Sequence, residues 1–198
     1  RHDERRYSVT GSPVDTLLTA LHALFTDKAP DIVLSGVNQG GNLGEDIGYS
    51  GTVNVAMEAA MHGMRAIAFS QVRRKRTDNW SASVGHLDEV LERVLDLPVG
   101  PECILNVNFP AVDAGRVTGW SVAPQGFRKT LISLVDHPDG ERNTYGFGFE
   151  RDNTPSRQSS DIAACGRGEI AITPIRVTQS HDAILPFLMR RLEDKMPK

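Results

Sequence analysis

The stretch Ser35-Gly36-Val37-Asn38-Gln39-Gly40-Gly41-Asn42-Leu43-Gly44-Glu45-Asp46-Ile47-Gly48-Tyr49-Ser50-Gly51-Thr52 holds the residues best suited to chemistry. Its glycines let backbone N–H groups come close to a ligand. A helix starting after Ser50-Gly51-Thr52 would add unpaired donors and the positive end of its dipole. This is a setting for an anion, with phosphate the natural guest. Asn38, Asn42 and Ser50 place neutral oxygen ligands and donors beside it. The competing reading is a long turn closed by a Thr cap. Unstructured loops of this length inside a compact domain are, however, uncommon unless they serve a function. Neither G-x-G-x-x-G nor a Gly-Lys-Ser/Thr ending is present, which disfavours a dinucleotide or nucleoside triphosphate binder.

Other residues that can do chemistry read as structural. His62, His86 and His181 fall on or beside expected helices without an identifiable partner, as surface or core-edge histidines do. Ser50 lacks the G-x-S-x-G elbow, and no His–Asp pair is placed near it, so it is not read as a nucleophile. Glu45 and Asp46 read as loop carboxylates that shape the turn, and Asp161 as a turn or sheet-end anchor. The one dense basic cluster, Arg73-Arg74-Lys75-Arg76, reads as a solvated loop. Cys103 and Cys165 fit no metal or C-x-x-C spacing and read as reduced core thiols.

The elements that must position the loop are legible from periodicity. Ser12 as cap, Pro13 at the first helical position and Asp15 in the first turn start a helix carrying Leu17, Leu18, Leu21, Leu24 and Phe25. It is expected to end near Asp27-Lys28-Ala29-Pro30. Asp31-Ile32-Val33-Leu34-Ser35-Gly36 is a short buried strand, so the loop leaves its carboxyl end, where open α/β sheets place ligands. A second helix follows over Val53 to His62, then a strand at Ile67-Ala68-Phe69. A third helix is marked by Trp80, Val84, Leu87, Val90, Leu91 and Val94, and a strand runs from Ile104 to Pro110. The alternating Asn106 and Asn108 in that strand need hydrogen-bond partners if they are buried. Val117 to Phe149 has no helical period and reads as hairpins projecting from the sheet, an extension spanning 117–150. Arg151 to Ser160 is a polar loop, Glu169 to Ile175 a strand, and a C-terminal helix covers 180–195. The succession of strand, helix and strand predicts one α/β domain over 1–198 with a mostly parallel sheet.

Composition narrows the classes further. Of 198 residues, 39% are hydrophobic and 24% charged, as in ordinary soluble domains, and the net charge of −3 argues against a large nucleic-acid footprint. No apolar run approaches the roughly 18 residues of a membrane span, and Arg1-His2-Asp3-Glu4-Arg5-Arg6 is too polar for a signal peptide. A cytoplasmic location is expected.

The run from Asp31 to Gly63, with its S-G-V-N-x-G-x-N-x-G-x-D-x-x-Y-S-G-T core, resembles the signature of the SurE family of 5′(3′)-nucleotidases. Gly11-Ser12-Pro13-Val14-Asp15 is similar to that family's G-T-P-x-D helix start, with Ser for Thr. Leu105-Asn106-Val107-Asn108-Phe109-Pro110 and the blocks from Ser160 to Ala164 and Ile172 to Pro174 match others in order. The resemblance implies a Rossmann-like three-layer domain with a hairpin extension, hydrolysis of nucleoside monophosphates, one divalent ion (Mg²⁺ or Mn²⁺), and a homodimer or homotetramer. By the same resemblance Asn38 is the metal ligand, and Asn42, Ser50, Gly51 and Thr52 cradle the phosphate. The family's Asn-Asp-Asp-Gly motif, which supplies the main metal ligands, and a later serine are not among these residues. The expectation is that an N-terminal third carries them, and that this chain alone is inactive.

Overall fold

A computed structural model describes residues 1–73, 80–127, 130–136, 145–151 and 157–193. The chain opens with α1 (Pro13–Ala23), whose start is a complete capping box: Ser12 Oγ accepts from the Asp15 N–H, and the Asp15 carboxylate accepts from the Ser12 N–H. The helix stops at Ala23, before the Asp27-Lys28 boundary expected from the sequence, and Leu24 and Phe25 lie exposed past its end. Then come β1 (Ile32–Gln39), α2 (Gly51–Met61), β2 (Arg65–Gln71), α3 (Ser81–Leu95) and β3 (Cys103–Phe109). After these lie β4 (Gly119–Val122), β5 (Thr130–Asp136), β6 (Tyr145–Arg151), α4 (Asp161–Gly166), β7 (Glu169–Arg176) and α5 (Leu185–Glu193).

The main sheet has the order β1-β2-β3-β7-β4. β1, β2 and β3 run parallel, β7 is antiparallel to β3, and β4 is parallel to β7. Gly119–Val122 therefore belongs to the main sheet, not to the 117–150 extension in which the sequence placed it. The four residues are too few to show a strand period, and their partner lies about fifty positions away. The hairpin itself is β5 with β6, which pair antiparallel as a separate two-stranded sheet. The six-residue α4, capped by Ser160, was not anticipated; a single turn and a half carries too little periodicity to read. The C-terminal helix occupies Leu185–Glu193 of the expected 180–195.

Side-chain alternation along β2 builds the layers. Ala66 and Ala68 face α1 and α2, packing with Val53, Ala56 and Ala59, while Ile67 and Phe69 face α3 and pack with Val90 and Val94. Each Val, Ile or Phe among them removed fully from water contributes about 1.5–3 kcal/mol, and each Ala less. The result is a three-layer α/β/α domain. Since β1, β2 and β3 step across the sheet in one direction with α2 and α3 on opposite faces, one of these two crossovers departs from the usual right hand. β1 ends the sheet, and on its α3-side face Leu34 is half exposed. Among the described residues no helix is long and apolar enough to cross a membrane.

Candidate phosphate-binding loop

From Asn38 to Gly44 the chain crosses the sheet's upper end, where the three parallel strands terminate, and is tied down at every second residue. Asn38 is still paired in β1, opposite Ser70 of β2. The Gly40 N–H donates to the Gln71 carbonyl of β2 at 3.0 Å. Asn42 is pinned to β3: its N–H donates to Asn108 Oδ1 at 2.9 Å. Its carbonyl accepts from Asn106 Nδ2 at 2.8 Å and Asn108 Nδ2 at 3.1 Å. The Asn42 side chain reaches back to β2, donating from Nδ2 to Ser70 Oγ at 2.6 Å. Gly44 then donates its N–H to Asp161 Oδ2 at 2.9 Å, and its carbonyl accepts from Gln125 Nε2 at 2.8 Å.

Gly36 is where this path begins. Its φ of +112° and a backbone so close that a Cβ would meet the Phe69 carbonyl oxygen at 2.3 Å leave room for glycine alone. After Gly44 a 3-10 turn over Gly44–Tyr49 carries Glu45 and Asp46 and delivers Ser50 as the cap of α2, with Ser50 Oγ accepting from the Val53 N–H at 3.1 Å. Gly51 and Thr52 are the first two residues of α2, so their N–H groups have no intrahelical acceptor. This helix end faces any anion with its positive dipole.

The residues expected from the sequence are thus placed as follows. Asn38, Asn42, Ser50, Gly51 and Thr52 all lie on one continuous segment, with Asn42 and Ser50 buried and Thr52 half buried. Gly51 has a further role: a Cβ there would come within 2.8 Å of Pro13 Cγ, so its bareness seats the start of α2 against the start of α1. His62 pairs with Glu58 at 3.2 Å and His86 lies by the Ala114 carbonyl at 3.0 Å, both away from the loop. Asp161 is the anchor it was read as. Wholly buried, its carboxylate accepts from the backbone N–H groups of Gly44, Gly126 and Ile162. The anchors that sequence reasoning missed are Ser70, Gln71 and Gln125. The alternation of Asn106 and Asn108 did signal a need for partners, but not that the partner would be Asn42.

A cavity of about 400 Å³ lies to one side, lined by Ile47, Gly48, Asn54, Met57, Gln125 and Arg176 among others. It touches none of Asn38, Asn42, Ser50, Gly51 or Thr52. For a divalent ion the donor set is incomplete. Asn38 donates Nδ2 to the Gly40 carbonyl at 2.9 Å and leaves Oδ1 as one neutral ligand. Among the described residues no group of three or more His, Cys, Asp or Glu is placed to hold a metal. One amide oxygen without charge or chelation does not fit a hard dication.

The sequence matches the family described as Survival protein SurE over residues 1–131. The chain belongs to the SurE family. Relatives named 5′-nucleotidase SurE include that of Erythrobacter litoralis, 36% identical over 194 residues, covering 96% of this chain and 77% of the relative. Another, from Rhodospirillum rubrum, is 39% identical over 179 residues, covering 88% and 68%. The crystal structure of SurE protein from Aquifex aeolicus superposes with a TM-score of 0.78 at 29% identity, covering 92% of this chain and 73% of that one. The SurE fold and the α/β layering derived above agree.

Proposed function

We propose that this SurE-family protein hydrolyses nucleoside 5′- and 3′-monophosphates, water adding across the phosphomonoester bond to give nucleoside and inorganic phosphate. The observation that carries the reading is the loop anchored strand by strand from β1 to Asp161 and running into the open end of α2. The ties take up the N–H groups of Gly40, Asn42 and Gly44 themselves, so the donors that this firmly held segment aims at a phosphoryl group and its developing charge are those at the open start of α2, Gly51 and Thr52. The names of the relatives support the same activity. In this reading Asn42, Ser50, Gly51 and Thr52 hold the phosphate and Asn38 contributes its Oδ1. The reading includes one divalent ion, Mg²⁺ or Mn²⁺, at Asn38, which requires charged ligands from beyond the described residues.

Phosphate release from a panel of nucleoside monophosphates, by the product of the whole gene and by this chain, tests the proposal. Release by the gene product that stops on chelation is expected. No release from any monophosphate contradicts it. A second reading, favoured by the missing acidic cluster among the described residues, is a nucleotide-binding protein without turnover. It predicts saturable monophosphate binding with no phosphate released. Two free cysteines suit a cytoplasmic protein. A homodimer or homotetramer is proposed from the exposed apolar stripe Leu185, Leu188, Met189 and Leu192 of α5. A monomeric mass in sedimentation would contradict that assembly.

A further inference from the structure

We infer that Asn108 is a positioning residue for the phosphate loop, acting through Asn42 without touching substrate itself. The inference rests on the loop being the phosphate site. Asn108 is wholly buried on β3, and both ends of its amide are spent on one loop residue: Oδ1 on the Asn42 N–H at 2.9 Å and Nδ2 on the Asn42 carbonyl at 3.1 Å. The side chain thereby imitates the paired rung of a β-ladder, in which two residues exchange both bonds. Through it, the loop at Asn42 inherits the register of the sheet, since the Asn108 backbone is itself fixed opposite Ser70 in β2 and Ala171 in β7.

The neighbouring residues show that this rung serves the loop rather than the core. Asn106 adds a second donor to the same Asn42 carbonyl, and its own Oδ1 is left buried with no partner. On the adjacent strand, directly opposite Asn106, Thr173 Oγ1 is likewise buried without a partner. A rung selected for core stability alone would carry apolar side chains at both places, because an unmatched buried acceptor is costly. Asn42 lies midway between the ties at Gly40 and Gly44: with Asn108 cut away, those ties remain, as do the bonds of Asn42 to Asn106 and Ser70 and the strand pairings of β3. What changes is the Asn42 N–H, which loses its acceptor, and with it the direction of the loop's central peptide.

The test compares wild type, Asn108→Ala and Thr173→Val, each made in the gene product used for the phosphate-release assay, by calorimetric titration with inorganic phosphate, alongside kcat/KM for a nucleoside monophosphate. Asn108→Ala is expected to weaken phosphate binding at least tenfold, and to lower kcat/KM by as much, with its far-UV circular dichroism unchanged at the assay temperature. Thr173→Val should leave both within twofold. A merely structural role would lower the melting temperature of Asn108→Ala and leave phosphate affinity where it was, and that result overturns the inference. Should Asn108→Ala not fold, Ser70→Ala carries the test. It removes the partner of the Asn42 side chain and is expected to weaken phosphate binding at least threefold, and unchanged affinity there overturns the inference too. Wild type that binds no phosphate refutes the phosphate-site reading itself. Wild type that binds phosphate equally with Asn108→Ala refutes only the role of Asn108.

Discussion

Asn38 is half committed by its own loop. Nδ2 serves the Gly40 carbonyl, and Oδ1 is the atom that the proposed function offers to a cation. Asn38→Ala should therefore lower monophosphate hydrolysis at least about tenfold with little change in stability, while Asn38→Asp retains activity better; steady-state rates on both variants check this. Gly51 behaves differently from its sequence reading, in which bareness served only the phosphate. Because a Cβ would press on Pro13 Cγ at 2.8 Å, Gly51→Ala should cost roughly 1–3 kcal/mol in denaturant unfolding as well as weakening phosphate binding. The Gly-rich run and its asparagines were legible because close backbone approach and neutral oxygens point to an anion whatever the fold. The contact of Gly51 with Pro13 was not, since nothing in local sequence says which helix starts will meet.

Among the elements, α3 shows how long-range partners escape a sequence reading. Its cap position is Trp80, which offers no side-chain acceptor; instead Gln71 at the end of β2 accepts from the Ser83 N–H at 3.0 Å. The Gln71 amide also donates to the Pro110 carbonyl at 2.8 Å, so one buried side chain joins β2, β3 and the start of α3. Gln71→Leu should destabilise the fold by about 1–3 kcal/mol, read from urea midpoints, because it leaves buried groups unmatched. At the other end of α3, Arg65 donates to the carbonyls of Val94, Leu95 and Leu97. The helices and the parallel strands were readable because their apolar periods span ten or so residues. Four-residue β4 and six-residue α4 carry no such period, and the reach of Asp161 to Gly44 spans 117 positions. Part of the polar loop expected over Arg151 to Ser160, and Arg74 to Arg76 of the basic cluster, lie outside the described residues.

At the scale of the molecule, the buried thiol reports on the core around the loop. Cys165 packs with Leu43, Ala123 and Ala171, and burial pushes its thiol from 9.0 up to about 12, with smaller contributions from neighbouring carboxylates. A thiol whose folded pKa is raised adds stability that is complete below pH 9.0 and is lost as pH rises towards about 12. Urea midpoints should therefore hold level up to pH 9.0 and fall beyond it, less steeply in Cys165→Ala. The same core supports Leu43 between the two anchors Asn42 and Gly44, so the site stands on a sheet fixed by α2, α3 and α4 together. What tests this account most directly is titration of inorganic phosphate into the isotopically labelled protein, with backbone amide shifts followed by NMR. The account predicts the largest shifts between Gly40 and Asn42 and at Gly51 and Thr52. Shifts confined to the cavity beside Arg176, with those amides unmoved, would contradict it.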